Sequence, residues 1–262
     1  LTKLPDGTFQ LLRKDNSIYQ FDLLGRISSM IDRNGHGLLF TYIGTNLSTI
    51  KDTGNRTLLS FTYTDSRLTE VTDVIGRQIL YNYDENNNLS TVIDVEGGVT
   101  TFTYDENHRV LTITDANGHT FLTNQYDEAG RVNKQWDAEG YTTEFFYNIL
   151  DYETLVTDRR GFITRYKYDE LGRLMTIYNP LEETTSYTFD ADNNMTSITD
   201  GKGFTTTYTY DERGNRLTAT DALDGVSSFT YDEMNNPLTI TDAKGNTSYY
   251  AYDDSGNRLT EE

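Results

Sequence analysis

Aromatic residues recur along this chain at a spacing that chance does not produce. Anchors stand at Phe21, Tyr42, Tyr63, Tyr83, Tyr104, Tyr126, Tyr147, Tyr168, Phe189, Tyr210, Tyr231 and Tyr252, every gap being 21 residues except one of 20 and one of 22. A fixed period of this length marks a repeat architecture in which each unit is one supersecondary element. Two residues before each anchor lies a second aromatic: Tyr19, Phe40, Phe61, Tyr81, Phe102, Phe145, Tyr166, Tyr187, Tyr208, Phe229 and Tyr250, with Asn124 the one exception. An i, i+2 pair points to one face of a strand, and Thr fills much of the other parity, as in Thr101-Phe102-Thr103-Tyr104.

A turn follows. Asp stands directly after the anchor in nine of twelve cases, usually with Glu and then Gly, as in Tyr168-Asp-Glu-Leu-Gly-Arg-Leu174. An Asp side chain accepts backbone N–H bonds two residues on, and Gly supplies a positive φ. A second strand then reads as in Arg109-Val-Leu-Thr-Ile-Thr114 and ends at another Asp in ten of eleven cases, with Gly three residues beyond in eight of them. Asp first and Gly fourth is the pattern of a type I turn. Each repeat is therefore one antiparallel hairpin, twelve in tandem, and no helix is predicted. The turn holding Pro180 has lost its Asp to Asn179. In Gly214-Asn-Arg-Leu217 and Gly256-Asn-Arg-Leu259 the Leu comes one residue late, which predicts a bulge because the Tyr210 to Asp221 spacing is unchanged. Residues 1–20 read as a divergent first repeat or cap, with a turn at Pro5-Asp6-Gly7, a strand over Thr8–Arg13, a turn over Lys14–Ser17 and a strand from Ile18. Residues 21–262 read as a single array with no linker.

Composition narrows the function classes. Hydrophobic residues make up 35%, against about 45–50% in ordinary domains, so the core is thin. Aromatics at 13% argue against disorder. A net charge of −19, from 41 acidic and 22 basic residues, excludes a basic nucleic-acid surface. No apolar run approaches the ~18 residues of a membrane helix, and mean hydropathy is −0.63. Residues 1–20 show no basic region followed by an apolar stretch, so no signal peptide is read there. With no Cys, disulfides and thiolate metal sites are excluded.

The motif Tyr-Asp-x-x-Gly-Arg-Leu, followed by a Thr/Ile-rich strand, Asp-x-x-Gly and a return strand, resembles the YD repeat, also called the RHS (rearrangement hotspot) repeat. The resemblance covers about residues 18–262, with the clearest copies at Tyr126–Val132, Tyr168–Leu174 and Tyr210–Leu217. It implies an all-β fold of tandem antiparallel hairpins forming a curved or spiralling single-layer ribbon, part of a hollow shell. The motif residues it marks as structural are Tyr83, Asp84, Tyr104, Asp105, Tyr126, Asp127, Gly130, Arg131, Tyr168, Asp169, Gly172, Arg173, Tyr210, Asp211, Gly214, Tyr231 and Asp232. Bacterial members of the polymorphic-toxin type are secreted or injected, and their shells enclose a C-terminal toxin. Similar shells occur in the toxin-complex cocoon, in wall-associated proteins and in teneurins. The implied partners are the remainder of the parent chain: further repeats, a core segment and a cargo domain. The implied location is secreted or at the bacterial cell surface. The chain stops at Arg258-Leu-Thr-Glu-Glu262, in mid-repeat, so a fragment of a larger protein is expected. Twelve hairpins at roughly 4.8 Å per strand would span on the order of 110 Å, enough for a strongly curved sheet but hardly for a sealed chamber.

The residues carry no catalytic pattern. His36, His108 and His119 are isolated, and Ser lacks a Gly-x-Ser-x-Gly setting. Asp-Glu pairs occur in most turns and so carry no catalytic information. The turn aspartates suit hydrogen-bonded capping better than Ca²⁺, which wants several oxygens close together. No enzyme activity, metal or cofactor is expected. The alternative to a shell segment is an adhesion or carbohydrate-binding module using exposed aromatics against a cell-surface glycan.

Overall fold

The computed structural model describes residues 1–261 except 14 and 255. Lys14, within the expected turn 14–17, and Ser255 and Glu262 lie outside the described residues. Among those described there are twenty-six strands and no helix. The chain divides into two compact units, Leu1–Thr123 with Asp254–Gly256, and Asn124–Asp253 with Asn257–Glu262. In the first unit each strand pairs antiparallel with the next in sequence, from Thr2–Lys3 to Thr120–Tyr126. The second repeats this nearest-neighbour order from Val132–Asp137 to Arg258–Glu261. Both are meanders of hairpins, the all-β tandem arrangement that the period predicts.

The two faces of a hairpin differ. Along Val99–Tyr104, exposed Val99, Thr101 and Thr103 alternate with half-buried Thr100, Phe102 and Tyr104. On the aromatic face rings of the second column oppose aliphatic residues in several hairpins: Phe102 faces Ile113, Phe145 faces Val156, Tyr187 faces Ile198 and Phe229 faces Ile240. Such cross-strand pairs contribute about 0.2–1 kcal/mol each. On the other face Thr hydroxyls meet across strands, Thr103 to Thr112 at 2.6 Å and Thr209 to Thr218 at 2.7 Å. No hydrophobic side chain among the described residues is fully buried. The accessible surface is 16929 Å², where a compact protein of this mass would expose about 11,700 Å². The strand contacts within each unit run between neighbours in sequence.

The turns after the anchors and the return turns share one design. In the anchor turn at Asp169, its N–H donates to the Arg173 carbonyl at 3.0 Å and the Gly172 N–H donates to the Asp169 carbonyl at 3.0 Å. Asp169 Oδ1 accepts the N–H groups of Leu171 and Arg173 at 3.0 and 2.9 Å. The return turn at Asp158 matches it, with Oδ1 accepting from Arg160 and Phe162 at 2.8 and 2.9 Å. This is a type I turn closed by a residue at positive φ, the three-residue hairpin loop with a bulge. Gly172 holds φ +77 and Gly161 φ +82; where Gly is absent, Asn often takes the position, as Asn87 does at φ +67, and His108, Glu182 and Asp224 take it at φ +62.

The three anchors not followed by Asp use other loops. Ile43 pairs with Asn46 across a two-residue loop opened by Gly44 at φ +60. Thr64 pairs with Arg67 across Asp65 and Ser66, at φ +48 and +65, as a type I′ turn requires. After Tyr147 the loop has four residues, Ile149 to Tyr152, between the paired Asn148 and Glu153.

The bulge expected beside Gly214-Asn-Arg-Leu217 is present, with the register shifting between Thr209 and Tyr210. Its cause is not the late Leu. The same shift occurs at Tyr42, Tyr104, Tyr168, Phe189 and Tyr231. The Leu simply takes a different slot: Arg216 opposes Tyr210, as Leu174 opposes Tyr168, and Leu217 falls at the extra position.

Asn179 keeps the turn design with the charges exchanged. Its Oδ1 accepts from Leu181 and Glu183 N–H at 2.9 and 3.0 Å, and its Nδ2 donates to Glu183 Oε2 at 2.8 Å. Asn179→Asp would restore the commonest residue at this position yet place two carboxylates together. It is expected to lower the thermal midpoint at neutral pH, and Asn179→Asp with Glu183→Arg to restore it. Melting curves of the three proteins check this.

Candidate functional site: the clamp between successive repeats

The site is built from Asp at the start of the anchor turn and the residue four positions on, which is Arg or Asn. Asp127 accepts Arg131 N–H and Nε, both at 2.9 Å, on its two oxygens. Asp105 holds Arg109 in the same way, at 3.0 and 2.7 Å. In Asp84, Asp211 and Asp232 the partners are Asn88, Asn215 and Asn236, whose Nδ2 groups donate at 3.0, 2.9 and 2.8 Å. Asn215 and Asn236 are among the few buried polar residues. Gly130, Gly172 and Gly214 hold φ between +76 and +81 in these turns.

The next repeat closes onto that turn. The anchor hydroxyl donates to the backbone carbonyl fifteen residues earlier: Tyr42 to Ile27, Tyr83 to Leu68, Tyr104 to Leu89 and Tyr210 to Met195, each at 2.8 Å. Tyr147 donates to Val132 at 2.9 Å and Tyr231 to Arg216 at 3.0 Å. The accepting residue directly follows the Arg or Asn of the preceding turn. That arginine lies over the same ring: Arg26 over Tyr42 at 4.2 Å, Arg131 over Tyr147 at 4.7 Å and Arg173 over Phe189 at 5.0 Å from the centroid. Arg173 also donates to the Asp190 carbonyl and to Asn193 Oδ1, at 3.2 and 3.0 Å. Where Asn replaces Arg, an amide bridge can link the turns, as from Asn215 Nδ2 to Asn235 Oδ1 at 2.7 Å. The hydroxyl bond is worth about 1 kcal/mol, and a guanidinium over a ring about 0.5–1 kcal/mol. Tyr126 and Tyr168 stand beside irregularities. Asn124 Nδ2 lies 3.5 Å from the Tyr126 hydroxyl, and the Tyr168 N–H donates to the Tyr152 carbonyl at 2.8 Å.

Asn124, in place of an aromatic, forms a polar pair with Gln135, whose Nε2 donates to its Oδ1 at 2.9 Å. Sequence reasoning marked Arg131 and Arg173 as motif residues but missed their reach into the following repeat. It also missed the Asn that replaces Arg. The available signal was the constant four-residue separation from Asp, at Asn88, Asn194, Asn215, Asn236 and Asn257.

The hydrogen bond from the arginine side chain holds the carboxyls of Asp22 and Asp105 below their ordinary range. In Asp127 and Asp169 the arginine backbone N–H is the larger cause. Burial pushes the phenols of Tyr42, Tyr104, Tyr147, Tyr210 and Tyr231 up. No group of three or more His, Asp or Glu side chains among the described residues is placed to hold a metal ion. The geometry joins successive repeats.

The RHS Repeat family model matches residues 63–99, 83–120, 168–205, 189–226 and 210–247, together more than half of the chain. No curated protein matches. Among solved structures, the TcdB2-TccC3 crystal structure superposes with a TM-score of 0.65 at 13% identity, over 96% of this chain and 16% of that one. The same pair without its hypervariable C-terminal region gives 0.64 at 12% identity, over 95% and 15%. The Photorhabdus luminescens Tc holotoxin pore gives 0.50 at 13%, over 94% and 19%. The likeness is one of fold, and this chain spans less than a fifth of the length of each of these neighbours.

Two expectations follow. Tyr104→Phe removes the donor to the Leu89 carbonyl and should lower stability by about 1 kcal/mol, read from denaturant unfolding. The pH dependence has two limbs. A carboxyl with a lowered folded value stabilises above its ordinary 3.8 and loses that contribution as pH falls through the folded value. A phenol with a raised folded value stabilises below its ordinary 10.0 and loses that contribution as pH rises through the folded value. The thermal midpoint should hold a plateau between these limits and fall on both sides. The alkaline fall should shrink when Tyr42, Tyr104 and Tyr210 are changed together to Phe.

Proposed function

This chain belongs to the RHS repeat family, and from that premise we propose that it is a wall segment of a shell that encapsulates or displays a C-terminal cargo domain of its parent protein. The observation that carries this reading is a single-layer sheet, with no helix among the described residues, whose aromatic face is only half-buried and whose repeats are tied in series. An uncovered apolar face of that extent needs curvature or a partner to hide it, and a wall around cargo provides both. On this reading residues 1–20 are a divergent repeat or cap and 21–262 one array. The Tyr, Asp, Gly and Arg residues from Tyr83 to Asp232 are then parts of the wall and act on no substrate. The partners are further repeats, a core segment and a toxin-like cargo of the same chain, and the setting is extracellular. The fold neighbours are Tc toxin proteins, one of them a holotoxin pore, which supports that setting.

A second reading, adhesion through glycans, has one observation in its favour. Tyr141, Phe162 and Phe204 occupy equivalent positions in the return turns after Asp137, Asp158 and Asp200, and all three rings are exposed. Imaging of the longer parent protein should reveal a lumen walled by this segment. A straight, solid rod would end the shell reading, and saturable glycan-array binding lost on Phe162→Ala and Phe204→Ala would favour the second.

A further inference from the structure

The turn after Tyr147 differs from its neighbours in chemistry as well as in length. Its hairpin pairs Tyr147 with Thr154 and Asn148 with Glu153, without the bulge seen at most anchors. Asn148 Nδ2 donates to Asp151 Oδ2 at 2.6 Å, where the neighbouring anchor turn has Asp169 capping the backbone. Tyr152 holds φ +50, a left-handed conformation that strains a bulky side chain. The loop exposes Ile149 at 64%, Leu150 at 92% and Tyr152 at 47%, and the adjoining anchor turn adds Leu171 at 74%. A cleft of 380 Å³ opens between the two turns, lined by Ile149, Tyr152, Tyr168 and Leu171 among others. The tips of the flanking anchor turns carry Glu128-Ala129 and Ala191-Asp192 instead.

This apolar island has an acidic frame. Asp151, Asp169 and Glu170 lie in its own two turns, and Asp127, Glu128, Asp190 and Asp192 in the turns to either side. The two arginines that follow these turns, Arg131 and Arg173, are each ion-paired with a turn Asp, at 2.7 Å. Apolar tips occur at other turns, Leu23-Leu24 and Val74-Ile75 among them, but there Gly25 and Gly76 take the positive φ; here exposed aliphatic surface coincides with a left-handed Tyr, which marks a place kept for contact.

We propose that the island docks a segment of another polypeptide that carries apolar side chains flanked by Lys or Arg. Leucine-like side chains enter the cleft between Tyr152 and Leu171, and the basic flanks face the acidic frame, which also steers the encounter. The site lies at a turn rim, so it is independent of what the sheet face encloses.

The test is fluorescence anisotropy with the 262-residue chain and a labelled amphipathic peptide of Leu and Lys, about 15 residues long. Saturable binding is expected. It should weaken by about tenfold or more in Leu150→Ser/Leu171→Ser, and also in about 0.5 M salt. It should be unchanged in Leu223→Ser, an equally exposed position in a return turn, and absent for the Leu/Glu counterpart. Both variants change exposed positions, and circular dichroism should show the same strand signal as the parent. Absence of binding, or equal binding by the double variant, overturns the proposal by leaving only charge attraction. Self-association abolished by the double variant would make the occupant a second copy and overturn it too, as would binding to phosphatidylserine vesicles without binding to the peptide.

Discussion

The tyrosine hydroxyl that reaches fifteen residues back to a carbonyl of the preceding repeat supplies what a core supplies elsewhere. A single layer cannot bury side chains between two packed surfaces, and none of the hydrophobic residues described here is fully buried. Stability in such an array is the sum of what each hairpin holds internally and what it shares with the next. Strand pairing provides part of the second term. The clamp adds a bond that crosses from one turn to the next and fixes the ring under an arginine, so the aromatic column is held in register at its rim. The two compact units use the same device, Tyr42, Tyr83 and Tyr104 in one, Tyr147, Tyr210 and Tyr231 in the other.

The clamp also explains how the chain tolerates its acidity. Most turn aspartates are engaged by two backbone N–H groups and by an Arg or Asn side chain. Such a charge is stabilised locally, as the lowered carboxyl values indicate. The net charge of −19 opposes the edge-to-edge association that exposed strands invite.

The hairpin array was legible because its signals are local and repeated. A period of twenty-one residues with aromatics two apart admits one strand, a reversal and a second strand, and the strands fall where the pattern puts them. Chemistry that crosses repeats was less legible. The contact of Arg26 with Tyr42 spans sixteen residues, a distance that no turn or strand rule examines. The bulge was expected beside Leu217 and occurs there, but its reason was hidden in the column register, which pairs Arg216 with Tyr210. At Asn148 the loss of Asp was visible, whereas the left-handed Tyr152 that follows from it was not, because loop length depends on which pair closes the hairpin.

Comparison among the turns separates what the motif requires from what it usually contains. In most of these turns the first residue supplies an acceptor on which two N–H groups converge, and either Asp or Asn can supply it: Asp169 and Asn179 accept the same pair of bonds. Where the fourth residue beyond reaches the first with its side chain, the two are complementary. Arg answers Asp, Asn answers Asp at Asn194 and Asn215, and Glu183 answers Asn179 with the direction of donation reversed. Charge is thus incidental to the turn itself and matters only where the side chain must also cover the next ring, which Arg can do and Asn cannot. The repeats that keep Arg are those in which the turn does two tasks at once. The Tyr-Asp-x-x-Gly-Arg pattern therefore describes the junction between hairpins, one step larger than the hairpin that the pattern encodes.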